Sequence, residues 1–301
     1  MENNTQLKEM IRSMVIDILQ GQKQEMASSQ PIKQAPRGQV EPGVFDTVDE
    51  AIQAAKAAQA RFEDCTLATR EKVIADIRAA MRPRVQELAQ KTVDETGMGR
   101  VADKVLKLNL TLNKTPGVED LVTECETGDN GMTLYELSAY GVIGAITPST
   151  NPAETLICNS IGMLAAGNAI FFSVHPGAKN LSRELVSELN QVIAKSIGIE
   201  NLIVTLREPS IESAQEMMLH PDVSLLVVTG GPGVVKQALQ SGKKVIGAGA
   251  GNPPAFVDET ADIKKAAQDI VLGASLDNNI LCIAEKSVVA CLLYTSPSPR
   301  D

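Results

Sequence analysis

The stretch NAIFFSVHPGAKNLSRELVSELNQVIAKSIGIENLIVTL, residues 168–206, decides the fold class. It begins and ends with short apolar runs, NAIFFSV and NLIVTL, each of the length of a buried strand. The segment between them, AKNLSRELVSELNQVIAKSIG, is typical of a helix that ends at a glycine. A strand, a helix and a second strand in this order predict a βαβ unit with parallel strands.

Four further apolar runs extend this pattern along the chain. They are GVIGAIT at 141–147, SLLVVTG at 224–230, KKVIGAG at 243–249 and AFVD at 255–258. Strands that are apolar throughout are typical of a parallel sheet that is covered by helices on both faces. The sequence therefore predicts an α/β fold with a Rossmann-type sheet, and ligands of such sheets bind beyond the carboxyl ends of the strands.

Composition limits the possible functions. The chain has 301 residues, 44% apolar content and a net charge of −9. Because no basic surplus is available to displace counterions, we expect no nucleic-acid partner. No apolar run reaches the roughly 20 residues that span a bilayer, so we expect no membrane partner. The five cysteines form no C-x-x-C pair and only two histidines are present, so we expect no metal site and a reducing, cytoplasmic setting.

The first 43 residues differ from the rest of the chain. Residues 5–20, TQLKEMIRSMVIDILQ, carry an apolar stripe at helical spacing, and we interpret residues 1–20 as an amphipathic helix. Residues 21–43 are rich in Gln, Pro, Ser and Gly, which predicts a flexible linker. Two interpretations of the helix remain open. It packs on the body or on a sister subunit, or it docks into a groove of another protein.

A β-hairpin is predicted at about 121–139, because Asp129, Asn130 and Gly131 lie between β-compatible runs. Hairpins inserted into α/β domains often make subunit contacts, which favours a homo-oligomer. The last residues, CLLYTSPSPRD at 291–301, are rich in Ser and Pro and do not continue the alternation of strands and helices that precedes them. We interpret them as an artefactual tail, and a genuine short tail is the alternative.

Three loops that follow predicted strands could hold a ligand, and we single out eight of their residues. Glycines at such turns let backbone N–H groups approach a phosphate at a helix N-terminus. A tight turn without any ligand would show the same pattern. The candidates are Thr147, Pro148 and Ser149 at the end of GVIGAIT, Thr229, Gly230 and Gly231 at the end of SLLVVTG, and Gly249 and Ala250 at the end of KKVIGAG.

Cys282 follows the polar run Asp277-Asn278-Asn279 within ASLDNNILCIAEK. A loop of this kind could present a thiolate as a nucleophile. A buried apolar cysteine is the structural alternative.

These motifs together resemble the aldehyde dehydrogenase superfamily. The resemblance rests on TPSTNP, VVTGGPG, GAGAGNPP, VDETAD and GAS-x-DNN-x-x-C, and it covers residues 44–290. Within the superfamily the chain is most similar to the CoA-acylating branch of bacterial microcompartments. That branch acts on propionaldehyde in propanediol utilisation and on acetaldehyde in ethanolamine utilisation. The resemblance implies an NAD-binding domain at 44–256 and the start of a second α/β catalytic domain at 257–290.

The resemblance also implies roles for individual residues. Cys282 would be the nucleophile, and Asn151 would donate a hydrogen bond to the oxyanion, although an ungapped reading puts Thr150 at that place. Ser173 replaces a lysine that some relatives place near the adenosine ribose, which favours NAD over NADP. His175 would contact the adenosine half of NAD or CoA, and a strand-end histidine bonded to the backbone is the alternative.

The favoured function is oxidation of a short-chain aldehyde, propionaldehyde first, to its acyl-CoA with NAD and coenzyme A. Hydrolytic relatives carry a glutamate that would fall near Ala248, but no carboxylate lies between Val245 and Val257. Two alternatives remain open, a hydrolytic aldehyde dehydrogenase and a non-catalytic microcompartment cargo or scaffold protein. The resemblance further implies that residues 1–20 bind a shell protein inside a microcompartment. Because the family continues past the cysteine, we expect a C-terminally truncated chain that is inactive alone.

Overall fold

The computed structural model describes residues 41–291, and the predicted N-terminal helix, most of the linker and residues 292–301 lie outside this part. Ten strands and nine helices are found within it. The strands are β1 Val44–Phe45, β2 Glu124–Gly128, β3 Gly131–Tyr135, β4 Val142–Ile146, β5 Ala169–Ser173, β6 Ile203–Leu206, β7 Val223–Thr229, β8 Lys244–Ala248, β9 Pro254–Val257 and β10 Ser287–Ala290. The helices are α1 Val48–Glu63, α2 Leu67–Met81, α3 Val85–Thr96, α4 Val101–Lys114, α5 Pro152–Ala165, α6 Lys179–Ile197, α7 Ile211–Leu219, α8 Pro232–Leu239 and α9 Ile263–Ser275.

Six strands form one parallel sheet in the order β1-β6-β5-β4-β7-β8. Strands β4, β5 and β6 follow one another toward one edge, and the chain then crosses back to place β7 on the other side of β4. The strand order therefore reverses between β4 and β7. In open α/β sheets a ligand crevice forms at this kind of reversal, outside the carboxyl ends of the two strands.

Helices cover both faces of the sheet, as the apolar strands predict. Helices α1 and α7 contact each other and the central strands, while α5 and α6 pack together with α2 against them. Every residue of β4, β5 and β6 is buried. Gly144 of β4 allows the close approach of a helix, because an added Cβ there would lie 2.2 Å from Sδ of Met217 in α7.

Two small sheets lie outside the main one. Strands β2 and β3 form an antiparallel hairpin around Asp129 and Asn130, with every residue of both strands exposed. Strands β9 and β10 pair in parallel. The AFVD run was predicted among the strands of the main sheet, and this was wrong. The chain leaves that sheet after Ala248, and the loop before β9 contains Pro253, which cannot donate to a strand ladder.

Helix α9 buries none of its residues, and the segment around it carries large exposed apolar side chains. Between residues 41 and 291, no helix is both long and apolar enough to cross a membrane.

Candidate active site

The carboxyl ends of the central strands are aligned, which brings the predicted ligand loops to one edge. Ile146, the last residue of β4, is in register with Ser173 of β5 and with Val228 of β7. Thr229 is in register with Ala248, the last residue of β8. The loops that start at Thr147, Val174, Gly230 and Gly249 therefore leave the sheet on the same side.

The loop after β4 lies at the point where the strand order reverses. Thr147 is 2% exposed, its N–H donates to the carbonyl of Ser173 at 3.2 Å, and its Oγ1 has no hydrogen-bond partner among the described residues. Pro148 and Ser149 are half-buried, and the Ser149 hydroxyl lies 3.9 Å from Sδ of Met98. A buried hydroxyl without a partner is costly, so this edge can accept a polar ligand group.

The loop after β7 leads directly into α8. The Gly230 N–H donates to the carbonyl of Ala248 at 3.1 Å, which ties the turn to the end of β8. Gly231 is the N-cap of α8, so no side chain caps the first turn of that helix. The free N–H groups of this turn and the helix dipole favour an anion such as a phosphate.

The loop after β8 presents almost no side-chain bulk. Gly249 and Ala250 are exposed, and an added Cβ on Gly249 or on Gly231 would meet no described atom within 4 Å. Open space, an uncapped helix N-terminus and the partnerless hydroxyl of Thr147 lie at one edge of the sheet, and together they are compatible with a bound dinucleotide. The residues of this edge therefore fit NAD.

The loop after β5 carries the remaining two cofactor candidates. Ser173 is 7% exposed, whereas His175 is exposed. Nδ1 of His175 accepts a hydrogen bond from the Gly177 N–H at 3.0 Å and thereby caps a short 3-10 turn. This contact matches the structural alternative for His175, a strand-end histidine bonded to the backbone.

Cys282 lies in a short loop before β10, and its side chain is exposed rather than buried among aliphatic residues. The Asn279 amide spans the loop by donating to the carbonyls of Ala274 and Glu285, at 2.7 and 3.1 Å. The Lys286 ammonium donates to the carbonyl of Leu281 at 2.8 Å. These contacts fix the path of the loop on both sides of the thiol.

The cysteine loop packs directly on the glycine-rich loop that follows β8. An added Cβ on Gly251 would lie 2.1 Å from the carbonyl oxygen of Cys282, so the two backbones are in contact. Only glycine allows this approach. The contact joins the cysteine loop to a segment that starts at the carboxyl edge of the sheet, two residues after Gly249.

A strained turn precedes the cysteine. Asp277, Asn278 and Asn279 all have left-handed backbone conformations, with φ of 49°, 56° and 60°. The Asp277 carboxylate accepts hydrogen bonds from the Arg100 N–H at 2.9 Å and from the ammonium group of Lys107. Three consecutive left-handed residues other than glycine persist only where their surroundings enforce them.

Asn151 is connected to the same turn through two lysines of α4. Its Oδ1 accepts hydrogen bonds from Lys107 and, at 3.4 Å, from Lys104. Lys104 also donates to the carbonyl of Thr150 and forms an ion pair with Asp277 at 3.0 Å. Asn151 is the N-cap of α5, but its side chain makes no capping hydrogen bond. The contacts of its amide oxygen are directed toward the lysines instead.

Burial and neighbouring charges shift the pKa values of this cluster. Desolvation lowers the pKa of Lys104, against the nearby charge of Glu154, which raises it. Burial opposes ionisation of Asp277, but hydrogen bonds from Lys107, the Arg100 N–H and Lys104 outweigh it and hold its pKa below the ordinary value.

Lys104 and Lys107 were not among the residues predicted from sequence, although one signal was available. Lys104, Leu108 and Leu112 are spaced at i, i+4 and i+8 on α4 and are 0%, 0% and 1% exposed. A lysine within a buried apolar stripe needs a partner, because an unpaired buried charge is very costly.

Comparisons with known proteins identify the family of the chain. The sequence pattern of the aldehyde dehydrogenase family matches residues 18–290. A CoA-propanoylating propanal dehydrogenase of Salmonella typhimurium strain LT2 is 50% identical over 287 residues, which cover 95% of this chain and 60% of that protein. The chain therefore spans about 60% of the length of this curated relative.

Two solved structures are similar to the described fold. A propionaldehyde dehydrogenase from the fucose utilisation microcompartment of Clostridium phytofermentans has a TM-score of 0.80 and 52% identity, over 83% of this chain and 57% of that one. A propionaldehyde dehydrogenase of Rhodopseudomonas palustris, with bound CoA and an acylated cysteine, has the same TM-score of 0.80 and 52% identity, over 83% of this chain and 58% of that one.

Proposed function

The chain belongs to the aldehyde dehydrogenase family, and from this premise we propose that the complete protein oxidises a short-chain aldehyde to its acyl-CoA with NAD and coenzyme A. Propionaldehyde is the favoured substrate, because the similar proteins from Salmonella typhimurium and Rhodopseudomonas palustris are named for propanal or propionaldehyde. The acylated cysteine and bound CoA of the second protein support a cysteine-centred acyl transfer.

One observation carries the proposal. The exposed thiol of Cys282 lies on a loop whose backbone contacts Gly251, in the segment that follows the carboxyl edge of the sheet. The residues that fit a dinucleotide lie at that edge. A nucleophile and a cofactor site that share one edge can act on the same carbonyl carbon.

The residues supply the parts of an acyl-transfer reaction. The Cys282 thiolate adds to the aldehyde carbon, and the carbonyl electron pair moves to oxygen, giving a thiohemiacetal. The Cys282 N–H and the Nδ2 group of Asn151 are the proposed donors to that oxyanion. Bound NAD supplies the acceptor for the hydride that leaves the same carbon. The resulting thioester is then attacked by the thiolate of CoA, and Cys282 leaves as a thiolate.

The residues that we propose to bind the cofactor lie at this edge of the sheet. They are Thr147, Pro148, Ser149, Ser173, Thr229, Gly230, Gly231, Gly249 and Ala250. We assign the phosphates to the first turn of α8, where N–H groups are free of a side-chain cap. His175 remains the weakest member of the set, because its Nδ1 already accepts from Gly177.

CoA is favoured over water as the acyl acceptor. Hydrolysis of a thioester requires a base to activate water, and the loop between Val245 and Val257 contains no carboxylate. An enzyme that conserves the thioester for CoA has no use for such a base.

Two experiments on the complete protein test this function. NADH formation from propionaldehyde should depend on added CoA, and turnover that ignores CoA would identify a hydrolytic enzyme instead. Substitution of Cys282 by serine should reduce turnover at least about 10³-fold, since the thiolate is the nucleophile. Cys158→Ser is the matched control, because Cys158 is another exposed free cysteine. Equal turnover of both variants would contradict the assignment of Cys282.

We further propose that the protein works inside a bacterial microcompartment in the cytoplasm, as a homo-oligomer. The related structure from a fucose utilisation microcompartment supports the setting. The apolar stripe of residues 1–20 suits a groove on a shell protein. The exposed hairpin of β2 and β3 is the proposed subunit contact.

A further inference from the structure

Four buried side chains form a charge-balanced cluster between the Asn151 loop and the turn before Cys282. Lys104 and Lys107 come from α4, Glu154 from the first turn of α5 and Asp277 from the strained turn. The side chains of Lys104 and Asp277 are 0% exposed, and those of Lys107 and Glu154 are 12% and 9% exposed. Two ammonium groups therefore face two carboxylates in a region with little solvent.

Both lysines bridge the two loops. The Lys107 ammonium contacts Oδ1 of Asn151, Oδ2 of Asp277 and, at 3.3 Å, Oε1 of Glu154. Lys104 joins the Thr150 carbonyl to Asp277. The two loops are 126 residues apart in sequence (277 minus 151), and this cluster is the link between them that the structure shows.

We infer that Lys107, supported by Lys104, is a positioning residue that locks Asn151 onto the cysteine turn and sets the orientation of its amide. The inference rests on the proposed function, since it assigns Asn151 to the oxyanion. It gives α4 a role in the reaction although none of its residues is proposed to touch the substrate.

The chemistry of lysine explains the orientation. An ammonium group can only donate hydrogen bonds, so the Asn151 atom that faces Lys107 must be the amide oxygen. The Nδ2 group is thereby directed away from the lysines, and it donates a long hydrogen bond, 3.3 Å, to the Thr150 hydroxyl. An oxyanion needs an N–H donor, and this arrangement leaves one available.

The same cluster holds the cysteine turn in its left-handed conformation. The Asp277 N–H donates a hydrogen bond to the Asp103 carboxylate at 3.0 Å. The Asp277 carboxylate forms ion pairs with Lys104 and Lys107 and accepts a hydrogen bond from the Arg100 N–H. Loss of Lys107 would leave both Asp277 and Glu154 with fewer cations and would let the turn relax. Asn151 and the segment that carries Cys282 would then move independently.

The test compares Lys107→Met with Lys107→Arg and with Lys114→Met, which alters an exposed lysine at the end of the same helix. In the complete protein, Lys107→Met should lower kcat at least about 30-fold with less than a threefold change in aldehyde KM, because the Asn151 donor that it displaces acts mainly in the transition state. Lys107→Arg should recover a large part of kcat, and Lys114→Met should match the parent.

A second readout does not depend on turnover. Amide hydrogen exchange of a peptide covering 276–284 should become at least tenfold faster in Lys107→Met, while exchange of β7 stays unchanged. Unchanged kcat together with unchanged exchange would overturn the inference. Equal loosening of β7 would also overturn it, since it would show a general loss of stability. If Cys282→Ser leaves turnover intact, the proposed function fails instead.

Discussion

At the residue scale, the contact between Gly251 and Cys282 is the most demanding point of the site. A methyl group at residue 251 would lie 2.1 Å from a backbone oxygen, which cannot move aside as a flexible side chain can. We expect Gly251→Ala to destabilise the fold by about 2 kcal/mol, as overpacking does, and to displace the Cys282 loop. Urea unfolding and the rate of Cys282 alkylation by iodoacetamide measure these two effects.

Gly249→Ala is the matched control for this prediction. It adds the same methyl group two residues earlier, where no described atom lies within 4 Å. The free energy of unfolding of this variant and its rate of Cys282 alkylation should match those of the parent. If Gly251→Ala also matches the parent, the close packing of the two loops is wrong.

Ionisation of Asp277 should make a pH-dependent contribution to stability. Its folded pKa lies below the ordinary value of 3.8. The contribution is therefore fully present above that value and is lost as the pH falls through the folded pKa. We expect Asp277→Asn to lower the free energy of unfolding by about 3 kcal/mol at pH 7, as when one partner of a buried ion pair is removed.

Urea unfolding of both proteins at pH 7, 5 and 4 tests this linkage. The difference in free energy of unfolding between the parent and Asp277→Asn should stay constant from pH 7 to 5 and begin to narrow near pH 4. A difference that widens on acidification would contradict the ion-pair geometry of Asp277.

Individual residues were predicted unevenly from sequence. Cys282 was predicted as the nucleophile from the motif DNN-x-x-C; the structure shows that the residue is exposed, and its role stays a prediction. Lys104 and Lys107 were missed, because their partners lie 44 to 173 residues away and no local pattern links them (151 minus 107, and 277 minus 104). Strand-end glycines such as Gly249 follow from the pattern, whereas the backbone contact at Gly251 depends on how two loops meet.

At the scale of elements, the first turn of α8 should decide dinucleotide affinity. Gly231 has φ of −68° and ψ of 165°, an ordinary N-cap conformation that aspartate and asparagine also adopt. Gly231→Asp should cap α8 but repel a phosphate, and we expect NAD affinity to fall about tenfold. Calorimetric titration with NAD measures the change.

Gly231→Asn separates charge from shape in this experiment. Asparagine has nearly the same size and capping ability as aspartate but carries no negative charge. The thermal stability of both variants should equal or exceed that of the parent. If aspartate and asparagine weaken NAD binding equally, the phosphate does not lie at this helix.

The hairpin offers a test of assembly. Cys125 and Leu134 are paired across β2 and β3, as are Thr127 and Met132, so one face of the hairpin is largely apolar. Leu134 and Met132 are 60% and 65% exposed. We expect Leu134→Lys to shift the complete protein toward smaller species in sedimentation velocity, since a charge buried in an interface is costly.

Thr133→Lys places the same charge on the opposite face of the hairpin and is the control. It should leave the sedimentation coefficient unchanged. The same distribution of species for Leu134→Lys and the parent would exclude this face as a subunit contact.

Most elements of the main sheet follow from the sequence. The apolar runs predicted β4 to β8, and the structure confirms their parallel arrangement. Two elements did not follow. Val44–Phe45 is too short to show a strand pattern. The AFVD run has the composition of a buried strand but pairs with β10, because tertiary pairing rather than propensity decides which sheet a short strand joins.

At the scale of the whole molecule, residues 1–20 should be separable from catalysis. They are joined to the body by the predicted linker at 21–43 and lie outside the described residues. Deletion of residues 1–20 should abolish co-purification with microcompartment shell proteins, while NADH formation stays within about twofold of the parent.

Two outcomes would contradict this prediction. Unchanged co-purification would show that the shell is recognised elsewhere on the protein. A large loss of NADH formation would favour the alternative in which the helix packs on the body or on a sister subunit.

The buried charge cluster also has a consequence for biosynthesis. Lys107 emerges from the ribosome 170 residues before Asp277, its ion-pair partner (277 minus 107). Until Asp277 is synthesised, Glu154 is the only one of the two carboxylates of the cluster that is present. The nascent domain therefore holds two ammonium groups against a single carboxylate, and water must solvate the excess charge. We expect the charge cluster to stay hydrated during translation and to lose this water when Asp277 joins it, so that the loop of Cys282, the proposed nucleophile, is positioned at a late step of folding.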